Sequence, residues 1–125
     1  MITLSKKQII HLHRKLLEAT GGLDGIRDET MLSSAMSSSF QTFDGVELYP
    51  STVAKIARIA YGPVCNHPFI DGNKRIGTYV MLVLLELNHI EVEFSVDEII
   101  FIGLELANGT MSAEQLQDLI LERLG

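Results

Sequence analysis

The chain has a single cysteine, Cys65, so no intrachain disulfide can staple it. Small secreted scaffolds built on cystine frameworks are excluded on that ground. The opening Met1-Ile2-Thr3-Leu4-Ser5-Lys6-Lys7 lacks the order of a signal peptide, which puts basic residues before the apolar run. No apolar stretch is long enough for a bilayer. The strongest, Val80-Met81-Leu82-Val83-Leu84-Leu85, is closed by Glu86 and Asn88. A basic excess is also missing. The net charge is -6 and the isoelectric point about 5.1, which argues against general binding to a nucleic-acid backbone. Neither an H-E-x-x-H metal motif nor a G-x-x-x-x-G-K-[ST] loop occurs, so zincin and P-loop chemistry are excluded. Repeats, low-complexity tracts and domain-dividing linkers are absent as well. The expectation is one cytoplasmic domain, residues 1–125, with no membrane span and no direct nucleic-acid partner.

What remains is ample apolar content, 46% of 125 residues, enough for a core. Its spacing is helical. Ser5-Lys6-Lys7-Gln8 is a capping-box pattern ahead of Ile9, Leu12 and Leu16, joined by Ile10 and Leu17, and Gly21-Gly22 stops that helix. Asp28 is placed to cap a short helix carrying Met31, Leu32, Ala35 and Met36. Segment 37–50 is mixed: serines, Asp44-Gly45 and Tyr49-Pro50 signal loop, while Phe40, Phe43, Val46 and Leu48 are expected to pack down. Ser51 caps a third helix with Val53, Ile56, Ala57 and Ala60 on its buried face, ending near His67-Pro68. Asn73 opens a fourth, running to about Asn88, apolar on nearly all sides and expected to be central. Glu91-Val92-Glu93-Phe94 alternates like an extended piece. Capping boxes at Ser95-Val96-Asp97-Glu98 and Ser112-Ala113-Glu114-Gln115 open two more helices. The predicted fold is all-α: a compact bundle of about six helices around a central buried helix, with a loop of unusual chemistry between the third and fourth.

That loop reads His67-Pro68-Phe69-Ile70-Asp71-Gly72-Asn73-Lys74-Arg75. A helix N-terminus carries partial positive charge and favours acids, yet this one begins with Lys74 and Arg75. Each cation there costs on the order of a few tenths to 1 kcal/mol unless something offsets it. An anion would. Backbone N–H groups of Gly72, Asn73 and Lys74 make a ready anion site; Lys74 adds a point charge and Arg75 a forked donor, which suits phosphate. Asp71 would repel a bare phosphate, but Mg²⁺ binds through one or two carboxylates plus substrate phosphates, so Asp71 reads as the metal ligand of a nucleotide site. His67 supplies an imidazole able to take a proton from an attacking hydroxyl. The plain alternative is a helix stop at His67-Pro68, a turn at Asp71-Gly72 and an ordinary cap at Asn73.

The same nine residues resemble the signature loop of the Fic/Doc (Fido) family. Gly21-Gly22-Leu23-Asp24-Gly25-Ile26-Arg27-Asp28, Gln41-Thr42-Phe43, Leu48-Tyr49-Pro50, Leu87-Asn88 and the closing helices also look like landmarks of its death-on-curing (Doc) branch, so the likeness covers nearly the whole chain. The resemblance implies the Fido fold, with His67 as general base, Phe69 as loop anchor and Asp71 on Mg²⁺. It implies that Gly72 and Asn73 line an anion hole with backbone and side-chain donors, and that Lys74 and Arg75 contact the phosphates of ATP.

Two departures separate this chain from AMP-transferring members. They have a small residue, usually Gly, where Lys74 stands, and a second arginine where Thr78 stands. Both differences match the Doc branch, which transfers the terminal phosphate of ATP to a threonine of elongation factor Tu and halts translation. The resemblance therefore implies the toxin of a type II toxin–antitoxin system. It implies a phosphotransferase acting on a translation factor and restrained by a cognate antitoxin whose disordered tail folds into a groove on the toxin. Protein adenylyl transfer by the same loop is the nearest alternative, and a non-catalytic nucleotide- or antitoxin-binding module the next. The inhibitory Ser/Thr-x-x-x-Glu-Gly/Asn pattern of many Fic enzymes is missing, since no Glu is followed by Gly or Asn.

Other residues invite weaker readings. Cys65 and His67 are two apart and do not share a helix face, so Cys65 reads as a structural thiol. His11 and His13 would ligate metal only with partners elsewhere. His89 reads as a cation near a helix end. Asp24, Arg27 and Asp28 read as turn chemistry and capping rather than a target-binding rim.

Overall fold

The computed structural model describes residues 1–124. Six helices account for most of them: α1 Lys6–Thr20, α2 Glu29–Ser37, α3 Thr52–Asn66, α4 Asn73–Leu87, α5 Val96–Ala107 and α6 Ala113–Leu124. The fold is all-α, as the periodicity predicts. The caps are where the sequence puts them. Ser5 with Gln8 and Ser95 with Glu98 form reciprocal capping boxes, and Ser112 with Gln115 makes both bonds of a third. Asp28 and Ser51 each accept a backbone N–H from the first turn of their helices.

α4 is buried, as its composition predicts, but α3 touches more of the fold. α3 packs against α2, α4, α5 and α6, whereas α4 packs against α1, α3 and α5. Two glycine contacts bring the helices close. A Cβ on Gly62 of α3 would lie 2.6 Å from Ala35 of α2, and one on Gly77 of α4 would lie 2.8 Å from the Ala60 carbonyl of α3. The core between them holds Leu32, Ile56, Val64, Phe69, Ile76, Met81, Leu84, Ile102, Leu106, Leu116 and Ile120, all essentially without solvent contact.

Three expectations are corrected. The buried stripe of α1 is Ile9, His13 and Leu17, with Leu12 and Leu16 only partly covered, so the inward face is rotated and includes a histidine. Segment 37–50 forms a turn of 3-10 helix, Ser38–Phe40, then a hairpin of β1 Thr42–Phe43 and β2 Val46–Glu47. Asp44 and Gly45 both have positive φ (54° and 80°), the geometry that Asp-Gly hairpin turns favour. Phe43 and Val46 point to solvent (76% and 68% exposed) rather than packing down. Glu91-Val92-Glu93-Phe94 forms no strand. It crosses from α4 to α5, with Phe94 under the Arg123 guanidinium at 5.6 Å.

Candidate active site

α3 runs through Pro63 and stops at His67, where Pro68 disfavours helical geometry in the residue before it. His67 takes a left-handed conformation, φ 49° and ψ 57°. For a residue with a Cβ this is strained by roughly 1 kcal/mol or more. Strain of this kind persists only where surrounding contacts hold it, and here they do. The Arg27 Nε donates to the His67 carbonyl at 2.7 Å and its Nη2 to the Asn66 carbonyl at 3.0 Å. The amides of Arg27 and Asp28 both donate to the Pro68 carbonyl, and that of Ile70 to the Gly25 carbonyl. The turn before α2 thus lies antiparallel to the loop, with Ile26 opposite Phe69. His67 itself is exposed, free to meet a hydroxyl from solvent or from another chain.

Phe69 is 1% exposed and anchors the loop in the core. Asn73 is buried, and its side chain reaches back to Phe69. Its carbonyl oxygen accepts the Phe69 N–H and its amide donates to the Phe69 C=O, each at 3.0 Å. Asn73 opens α4 as expected; the cap of the helix is Gly72, left-handed at φ 78°, and not Asn73 as in the plain alternative. The Asn73 side chain braces the loop with its carbonyl oxygen and one of its two amide hydrogens.

Asp71 is half-exposed. Its Oδ2 accepts the Leu23 N–H at 3.2 Å and its Oδ1 the Gly72 N–H at 2.8 Å. These two amides, Leu23's first, with the nearby Arg75 and His13, hold the carboxyl below the usual carboxylate range. The Gly72 N–H is therefore occupied by Asp71. A Cβ on Gly22 would lie 2.6 Å from Asp71 Oδ2 and 3.1 Å from Arg75 Nη2, so only glycine leaves room for the carboxylate there. Among the described residues no cluster of three or more His, Cys, Asp or Glu could hold a metal by itself. One ionised, outward-facing carboxylate fits a Mg²⁺ held chiefly by waters and nucleotide phosphates, and does not fit an all-protein cage.

The two cations of the first turn of α4 separate. Arg75 donates to the Gly21 carbonyl at 2.8 Å and the Thr20 hydroxyl at 2.6 Å, and its Nη2 lies 3.6 Å from Asp71 Oδ1. It satisfies the carboxyl end of α1, where a cation is favoured. Part of the charge conflict at this helix end thus has a structural answer. Lys74 has none: it is exposed and makes no ion pair among the described residues. Thr78 is buried, and its hydroxyl donates back to the Lys74 and Arg75 carbonyls of its own helix.

Sequence reasoning missed two residues of this assembly. Turn chemistry does not describe Arg27, which grips the end of α3. His13 lies wholly buried beneath the loop, its Nε2 2.7 Å from the Asp71 carbonyl. Its place four residues from both Ile9 and Leu17, on the inward face of α1, was the available signal. Asp28 caps α2, as the plainer reading holds, and Asp24 pairs with Arg14 at 3.3 Å.

The Fic/DOC family model matches residues 3–85, which is more than half of the chain and includes the whole loop. The chain belongs to the Fic/DOC family. Among curated Fic/DOC relatives is Toxin Doc of Mycolicibacterium smegmatis (strain ATCC 700084 / mc(2)155), 32% identical over 81 residues. That match covers 63% of this chain and 62% of the relative, so under two thirds of the relative's length is spanned. The similarity agrees with the Doc-branch landmarks flanking this chain's Fic/DOC loop.

Proposed function

We propose that this Fic/DOC chain is a toxin of a toxin–antitoxin pair that transfers the terminal phosphoryl group of Mg²⁺·ATP to a hydroxyl on a protein of the translation machinery. The observation that carries the reading is the pairing, on one braced loop, of an exposed imidazole with an ionised carboxylate. His67 would take the proton of the target hydroxyl as its oxygen bonds to the γ-phosphorus and the bond to ADP breaks. Asp71, with the phosphates, would hold Mg²⁺, which when bound neutralises charge on the transferring group. Lys74 is the cation left free to meet phosphate oxygens. Arg75 fixes Asp71 from the side and shares what remains of its donor fork.

Phosphoryl rather than adenylyl transfer is favoured by position 78. A phosphate contact from that site would need a cation, and Thr78 is buried with its hydroxyl spent on its own helix. ATP labelled at the γ position should label the target; label transfer from the α position would overturn the kinase reading. Mass spectrometry of modified target separates the two, because phosphoryl and adenylyl groups differ greatly in mass.

The antitoxin reading is supported by an apolar groove of about 380 Å³ lined by Leu4, Ile9, Met36, Phe40, Ile59 and Leu84 among others. It suits the apolar face of a helix that folds on binding, and the flexible Met36 can adapt to it. Expression should arrest growth, and His67→Ala should relieve the arrest. Equal arrest by both proteins would remove His67 from the chemistry.

A further inference from the structure

We infer that His13 is a positioning residue: it acts from beneath the loop to set where the Asp71 carboxylate stands. This rests on the reading of Asp71 as the cation ligand and adds a residue that the loop motif does not contain. The imidazole is fully buried. Its ring lies parallel to Phe69, centroids 3.8 Å apart and planes 11° from coplanar. Because the Asp71 carbonyl can only accept, the Nε2 at 2.7 Å must be the nitrogen that donates. Asp71 is thereby held at both ends, its carbonyl by α1 and its carboxylate by the Leu23 and Gly72 amides.

A packing role alone does not account for a histidine here. Nδ1 is buried with no hydrogen-bond partner; the nearest carboxylate oxygen, Asp24 Oδ1, stands 3.9 Å away. An unpartnered buried nitrogen is destabilising. Phenylalanine would keep the stack on Phe69 and bury no unpartnered ring nitrogen, at the loss of the donor to the Asp71 carbonyl. Histidine adds only one thing to that stack, the Nε2 donor to Asp71. Groups that orient a metal ligand from behind characteristically change metal affinity about 10- to 100-fold when removed.

The test compares full-length wild type with His13→Phe, which keeps the ring and loses the donor, and His13→Gln, which keeps an amide donor and loses the ring. Asp71→Asn serves as the control for the underlying reading. Binding of Mn²⁺·ATP is followed by electron paramagnetic resonance, and folding by thermal melting. The expected result is a folded His13→Phe whose Mn²⁺·ATP affinity falls about tenfold or more, with part of the loss restored in His13→Gln. A folded His13→Phe that binds like wild type overturns the inference, as does a His13→Gln weaker than His13→Phe. If Asp71→Asn itself binds like wild type, the assignment of Asp71 fails instead, and the two failures are distinct. Should His13→Phe not fold, wild type decides. With ¹⁵N-histidine labelling, the Nε2–H resonance of His13 should shift on adding Mg²⁺·ATP, and an unmoved resonance overturns the proposal.

Discussion

Residues 67–75 and the hairpin around Asp44 both leave the helical bundle, and they are held in opposite ways. The loop is gripped at several points along its length: Arg27 on the His67 carbonyl, Asn73 on Phe69, His13 on the Asp71 carbonyl, two amides on the Asp71 carboxylate. The hairpin is fastened only near its base. Lys55, buried at the start of α3, reaches the Tyr49 carbonyl and sits 3.2 Å from Glu47, while Arg58 lies 5.2 Å from the Tyr49 ring. Beyond that, Phe43 and Val46 face solvent. A group that must meet a reacting atom needs fixed geometry. A surface that must accept another chain needs exposed area and tolerates motion. The difference fits the proposed division, with chemistry on the loop and adaptable surface on the hairpin.

The contrast can be broken by experiment. The largest effect is expected at His67→Ala, where turnover should fall about 10²- to 10⁴-fold with little change in melting, since the side chain is exposed; preserved turnover would end its role as base. Asn73→Ala strands a buried N–H and C=O at Phe69, and chemical denaturation should show a loss of about 1–3 kcal/mol. Arg27→Ala removes donors that hold a strained residue in a more exposed setting, so about 1 kcal/mol is expected, together with slower turnover. If stability alone moved, the strained geometry of His67 would be irrelevant to catalysis. Phe43→Ser and Val46→Thr should change stability by under about 0.5 kcal/mol; a larger loss would mean that the hairpin is structural after all.

Acid provides a further check on the loop. The folded carboxyl of Asp71 is depressed, so its contribution to stability is present above the ordinary carboxylate value, about 4. It is lost as pH falls through the lower folded value. Asp71→Asn should flatten that limb of the stability–pH curve. An unchanged acid limb in the variant would show that the Leu23 and Gly72 amides do not favour the ionised form.

What was legible in the sequence was local. A capping box places a serine and a glutamine or glutamate three residues apart, and all three predicted boxes formed. The loop motif was equally compact, and its anchor, Phe69, lies where the resemblance put it. What was not legible lies far apart in the chain. His13 meets Asp71 across 58 positions and Arg27 meets His67 across 40. Arg75 finds the end of α1 across 54. No periodicity reports such pairings, because each depends on how helices cross and not on how residues follow one another. The exposure of Phe43 and Val46 is not legible either, because hydrophobicity alone does not say which face of a two-residue strand is covered.

Gly22 carries a consequence for how the molecule comes into being. The space its missing side chain leaves is filled by Asp71, 49 positions further on, so the two halves of the site are made at different times and must be matched. A chain cut at the Asp44–Gly45 turn is therefore expected to give two inert pieces, one with the bed and one with the reactive loop. Activity would return only on mixing, which would turn this small domain into a reporter of its own reassembly.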